Sequence, residues 1–153
     1  MTAVTQTIQL NLPSVVKTIL LTNSTISARF NTNNNFYEFE PNPKATKFKG
    51  YPYILIKYPN TATDTMVFTH GTTMKEFKCQ VLLRMDYEAR NNFKTYANAI
   101  IEAIEDNEGT LETNGYYNTK IELIDVNDRQ LIEEKQIVEG EFELLVTGNI
   151  NRG

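Results

Sequence analysis

Alternation is clearest between Lys75 and Met85. Phe77, Cys79, Val81, Leu83 and Met85 fall at every second position, with Lys78, Gln80, Leu82 and Arg84 between them. A strand turns successive side chains to opposite faces, so this run predicts a strand with one core face and one mostly wet face. Weaker runs predict four more strands: Tyr53–Tyr58, Thr65–Thr69, Thr119–Val126 and Ile137–Asn149. Turn signals close three of them, at Pro59-Asn60, His70-Gly71 and Asn127-Asp128. Phe36–Glu40, after the turn cluster Asn31–Asn35, predicts a short strand. In the last long strand Phe142, Leu144 and Val146 alternate with Glu141, Glu143 and Leu145, and Gly140 marks a bulge or bend.

Two stretches follow a helical period instead. Phe93, Tyr96, Ala97, Ile100, Ile101 and Ile104 form one apolar stripe, predicting a helix over 87–106. Asp86 is placed to cap its start and Gly109 to stop it. Pro13, followed by Val15, Val16, Ile19 and Leu20, predicts a shorter helix over 13–22 with the proline at its first position. The order reads as α+β: a mainly antiparallel sheet with a long amphipathic helix and a short N-terminal helix packed on one face. At 153 residues the chain is expected to form a single domain, 1–153, with a long loop at about 31–52.

Composition removes more than it names. Hydrophobic residues at 41% and charged residues at 22% suit a folded chain rather than a disordered one. One Cys and one His exclude a disulfide framework and multi-histidine or multi-cysteine metal sites. No run is long and apolar enough to span a membrane, and no secretory leader is recognisable, so a soluble protein made in the cytoplasm is expected, without a membrane partner. A formal charge of −4 argues against a dedicated nucleic-acid binder. That charge is unevenly spread: residues 1–100 sum to +5 and residues 101–153 to −9. Two solvated faces explain such a split, as does a molecule whose positive side meets the negative side of a copy.

Candidate chemistry is thin. His70, in Thr-His-Gly, reads as a turn residue rather than a base, and Cys79 as an inert buried thiol. No glycine-rich phosphate loop follows a strand. Glu139, Glu141 and Glu143 share a strand face, which is open to a divalent ion but favours a solvated row. Asp125–Asp128 reads as a turn rather than a calcium loop. Tyr51, Tyr53 and Tyr58 beside Lys49 and Lys57 fit either stacking on single-stranded nucleic acid or packing of the sheet against its helix. Acidic Glu102, Glu105, Asp106 and Glu108 oppose the dipole at the helix end and so point to a surface role. The residues imply no enzyme, no cofactor and no metal.

The segment order resembles the tail-completion or tail-terminator family of long-tailed bacteriophages and related viruses. The resemblance runs through the short N-terminal helix and Tyr51-Pro-Tyr-Ile-Leu-Ile56, then Glu76-Phe-Lys-Cys-Gln-Val-Leu-Leu-Arg84. It continues in Ala97-Asn-Ala-Ile-Ile-Glu-Ala-Ile104, Ile121–Asp128 and the return strand Val138–Val146. The 31–50 segment is longer than its counterpart in the family. The resemblance implies a structural virion protein: a ring, usually hexameric, at the head-proximal end of the tail tube, ending tube growth and meeting the head connector. Its partners would be itself, the tail tube protein and the connector or neck protein, with genomic DNA passing through the lumen unbound. Lys44, Lys47 and Lys49 are then candidates to reach a neighbour or the connector, and Glu105, Asp106 and Glu108 to face the lumen or the next subunit. A head-side neck protein is the alternative, and a small ligand-binding or enzyme domain the more distant one.

Overall fold

In a computed structural model, the structure describes residues 4–30, 35–42, 44–45, 48, 50–61, 66–67, 72–132 and 135–151. Side chains are not described for 4–8, 61, 66–67, 72–74, 128–132, 135 or 149–151. The elements in order are α1 (Val4–Leu20), α2 (Ser24–Arg29), β1 (Phe36–Tyr37), β2 (Tyr53–Ile56), β3 (Asn60–Thr61) and β4 (Met66–Val67). Then come β5 (Thr72–Asp86), a 3₁₀ segment Tyr87–Asn92, α3 (Phe93–Asp106), α4 (Glu108–Thr113), β6 (Tyr116–Ile132) and β7 (Lys135–Asn151). The class is α+β, as the hydrophobic periods predict.

One sheet has the order β1-β2-β5-β7-β6, with β3 and β4 pairing beside β5. All pairs are antiparallel except β1 with β2. The apolar face of β5 is the one its alternation predicts: Phe77, Cys79, Val81, Leu83 and Met85 are buried under the helices. Phe142, Leu144 and Val146 continue that face in β7, and Ile54 and Ile56 in β2. The stripe of α3 closes it with Ala97, Ile100 and Ile104 buried and Phe93, Tyr96 and Ile101 half-buried against them.

Local differences from the sequence reading have physical causes. The N-terminal helix is 17 residues long, and Pro13 lies inside it rather than at its start. Buried Leu12 and Pro13 extend the face of Val16, Ile19 and Leu20, so tertiary burial outweighs the proline's local cost. Asn23, whose side chain accepts from the amides of Thr25 and Ile26, caps a second helix that carried no strong apolar period. Residues 87–92 are 3₁₀, and Asp86 makes no side-chain cap there. The long helix ends at Asn107, not Gly109, and Gly109 sits inside α4. Glu108 opens α4, where a helix start favours an acid. β6 runs straight through Asp125–Asp128, which is strand rather than turn.

The expected bulge belongs to β6, not to Gly140. β6 shifts register against β7 between Tyr117 and Lys120, Leu123 and Asp125, and Gln130 and Ile132. Asn118 takes φ 54° at the first shift, a left-handed conformation that Asn tolerates better than most residues. Gly140 stays paired on both sides, and a Cβ there would lie 2.5 Å from Phe93 Cζ. Glycine lets the first turn of α3 press onto the centre of the sheet.

Candidate functional site

The sheet order sets where the charged segments of the chain fall across the molecule. α1 packs on β2 and α3, while α3 and α4 pack on β6. Among the described residues, Lys17, Arg29, Lys44 and Lys57 belong to the segments on the β1–β2 side, together with Glu38 and Glu40, while the carboxylates of α3, α4 and β6 gather toward the β6 edge.

At the β6 edge, the chain from Glu102 to Asp125 carries seven carboxylates and one cation, Lys120. Glu105 and Asp106 are exposed at the end of α3 and Glu108 is exposed at the start of α4. Glu105 and Glu108 join Lys120, Glu122 and Glu143 around a cleft of about 400 Å³ beside the first register shift. Apolar side chains stand out of this acidic edge. Leu123 lies opposite Phe142 and Val126 opposite Gly140, so both are on the helix side. Ile124 is the extra residue of the second shift and lines a hollow on the other face with Lys78, Gln80 and Glu141. Ile124 and Val126 are 45% and 48% exposed.

The β1 edge is built differently. Tyr53, Leu55 and Leu82 form a second, smaller core on the sheet face away from the helices. Tyr37, Phe48 and Tyr51 pack onto it, with the Tyr53 ring 5.1 Å from Tyr37 and 5.7 Å from Phe48. The described part of the 31–52 segment thus covers the sheet. These tyrosines pack against that cover, not against the helices. Arg84, 3% exposed, ties it down. Its Nε donates to Glu139 at 2.6 Å, and its Nη1 donates to Tyr53 Oη at 2.9 Å and to Glu40 in the covering segment. Burial works against the Arg84 charge, yet hydrogen bonds to Glu40, Tyr53 and Glu139 hold its pKa above the ordinary value. Burial pushes the Tyr53 phenol up to about 12, against the pull of Arg84. Between α1 and β1 a groove of about 460 Å³ opens, lined by Pro13, Lys17, Phe36, Phe39, Pro41 and Ile56 among others. Phe39 on its rim is 72% exposed.

Lys44 is exposed on the covering segment, its amide donating to Asn42 Oδ1 at 3.0 Å. Lys47, Lys49 and His70 lie outside the described residues. Cys79 is fully buried, donates to Lys57 O at 3.3 Å, and is pushed by burial up to about 12. The glutamates of β7 are not a wet row. Glu139 is buried on Arg84, Glu141 accepts from Gln80 at 2.6 Å, and Glu143 pairs with Lys78 at 3.5 Å. Their cross-strand partners on β5 are distant in sequence and carry no local signal. Among the described residues no cluster of His, Cys, Asp or Glu is arranged to hold a metal ion, and no helix is long and apolar enough to cross a membrane.

Sequence reasoning missed the two apolar edge patches. Leu123, Ile124 and Val126 look like strand core until the bulge puts Ile124 on one side of the edge and Leu123 and Val126 on the other. Phe39 looks like part of a short strand until β1 ends at Tyr37.

No protein-family model matches the chain, and no curated protein matches it. Among solved structures, a chain from the virion of a native gene transfer agent particle aligns over 90% of this chain and 95% of its own length. The identity is 13% and the TM-score 0.49, a likeness that carries no argument about function.

Proposed function

We propose that the protein is a non-enzymatic structural component of a phage-like virion. It assembles with copies of itself into a ring, hexameric in the reading its sequence resemblance implies. The ring sits at the head-proximal end of the tail tube, ends tube growth and forms the joint to the head connector. The observation that carries this reading is the pair of unlike sheet edges: on the β1 side the described cations Lys17, Arg29, Lys44 and Lys57 outnumber Glu38 and Glu40, and on the β6 side seven carboxylates from Glu102 to Asp125 face one cation. A closed ring needs heterologous contacts, in which one patch meets a different patch on the next copy. Opposite charge on opposite edges favours head-to-tail encounter and disfavours head-to-head. Glu105, Asp106 and Glu108 extend the acidic side and would repel phosphates if they face the lumen. Lys44, Lys47 and Lys49 supply cations for a neighbour or the connector.

The test is light scattering of the purified protein across a concentration series, with negative-stain imaging with and without isolated tail tubes. Rings near six times 17.5 kDa, or density capping one tube end, are expected. Rings that ignore tube ends and bind a portal complex would reassign the protein to the head side of the joint. A monomer that ignores both would overturn the reading.

A further inference from the structure

The chain holds a single Asn-Gly step, Asn114-Gly115, at the corner where α4 ends and β6 begins. We infer that Asn114 is a self-modification site that converts to aspartate and isoaspartate through a cyclic imide, with the last turn of α4 as its gate. This is independent of the ring reading.

The chemistry needs only the two residues and water. The Gly115 backbone nitrogen attacks Asn114 Cγ. The bond from Cγ to Nδ2 breaks, and the side-chain nitrogen leaves as ammonia with the Gly115 amide proton. Water then opens the imide at one of its two carbonyls. Opening at Cγ gives aspartate. Opening at the main-chain carbonyl gives isoaspartate, whose backbone runs through Cβ and Cγ. Nothing is oxidised or reduced. Glycine favours the ring because no Cβ crowds the attacking nitrogen. Asn114 is exposed, and with Thr110 it borders a hollow of about 170 Å³ against Ser14, Val15 and Thr18 of α1, so water reaches it.

The fold requires both residues for another reason. Gly115 takes φ 94°, the left-handed conformation that ends many helices and that glycine adopts without strain. Asn114 Nδ2 donates to Thr110 O at 2.8 Å, which satisfies a carbonyl that the helix end leaves open. The cap and the reactive step are one and the same dipeptide.

The cap also holds the reaction back. Ring closure requires Asn114 Cβ and the Gly115 nitrogen to eclipse each other about the Cα–C bond. At ψ 5° the Gly115 nitrogen eclipses the Asn114 nitrogen instead, with Cβ turned well away. The Gly115 N–H donates to Glu112 O at 3.0 Å, and the leaving amide is engaged with Thr110. Reaction therefore awaits an opening of this turn. Only Leu111 of the six residues of α4 is buried, so the turn opens at lower cost than the sheet. After conversion a carboxylate stands at the negative end of α4, against the Thr110 carbonyl, and disfavours closure. Isoaspartate also lengthens the backbone just ahead of the first register shift of β6. The step is one-way, and it alters the acidic β6 edge as the protein ages.

The experiment incubates the full-length protein in neutral buffer and in urea. Every asparagine is followed by peptide mass spectrometry, and isoaspartate is counted by enzymatic methylation. Asn114 should convert ahead of every other asparagine in both samples, and more slowly in the folded one, on the order of tenfold or more. Leu111→Ala should close much of that gap at unchanged circular dichroism. Asn114→Gln, whose ring would need an extra methylene, should lose the signal and keep the fold. Equal rates in buffer and urea would overturn the gate, a comparison that needs no variant to fold. Earlier conversion of another asparagine in the folded chain would overturn the site. So would full conversion in urea with none in buffer over a time on the order of a hundred times longer.

Discussion

The two faces of the sheet are stabilised by different physics. Under the helices, Phe77, Phe142, Leu144 and Val146 are fully buried in a continuous apolar layer. On the other face, burial centres on β2 and β5, where a small aromatic cluster and Glu139 of β7 surround Arg84. Beyond β5 that face is a ladder of polar pairs, Gln80 with Glu141 and half-exposed Lys78 with Glu143. The helix face is expected to supply most of the stability. The opposite face uses a buried ion pair to fix one covering segment and leaves the rest as surface.

The strongest way to break this comparison is at Phe142. Phe142→Ala should cost about 3–5 kcal/mol, enough to unfold much of the population, because it opens a cavity against helix and strand. Urea melts that shift by less than 1 kcal/mol would refute the helix face as the main store. Arg84→Met tests the opposite face. It leaves the Glu139 carboxylate buried without that cation and should cost about 3–5 kcal/mol as well, for an electrostatic reason. The double variant Arg84→Met with Glu139→Leu should recover most of the loss. A double variant as unstable as the single one would mean that Arg84 acts by packing.

Alkaline pH sharpens the contrast. Burial raises the Cys79 thiol from 9.0 and the Tyr53 and Tyr116 phenols from 10.0, each to about 12. Above the ordinary values the unfolded chain loses these protons while the folded chain keeps them. Stability is therefore undiminished below pH 9.0 and is lost progressively toward pH 12, by up to about 1.4 kcal/mol per pH unit for each group. Urea unfolding from pH 7 to pH 11 reads this directly, and Cys79→Ala should move the onset toward pH 10.0. An unchanged onset would place the effect elsewhere. The smallest effect belongs to Glu40→Gln. Glu40 is 54% exposed, so its loss should cost under about 1 kcal/mol of global stability. It should nevertheless speed hydrogen exchange in the covering segment selectively. Uniform exchange changes would contradict a local tether.

The helix face was legible because its signals are periodic and local. Every second residue from Phe77 to Met85 names the core side of β5, and the stripe from Phe93 to Ile104 names that of α3. The opposite face was not, because Arg84, Glu139, Tyr53 and Glu40 come from four separated segments and meet only through strand order. The Glu139–Glu143 row looked solvated for the same reason. The charge asymmetry was visible along the chain, yet its meaning depended on which strands became edges. Pro13 misled in the opposite way: a local rule placed it at a helix start, and burial of Leu12 and Pro13 against the core overruled it.

The strand order also shapes how the molecule must be made. β7 follows every other described element in sequence but occupies an interior position, between β5 and β6. Every β5–β7 pair spans all of α3, α4 and β6. During synthesis one long side of β5 therefore stays unpaired, with Phe77, Val81 and Leu83 along it, until residues 135–151 have left the ribosome. For that interval the nascent chain is an open template for strands of other chains. A ribosome stalled before Lys135 should hold a polypeptide that needs a chaperone, while one released past Asn151 should not.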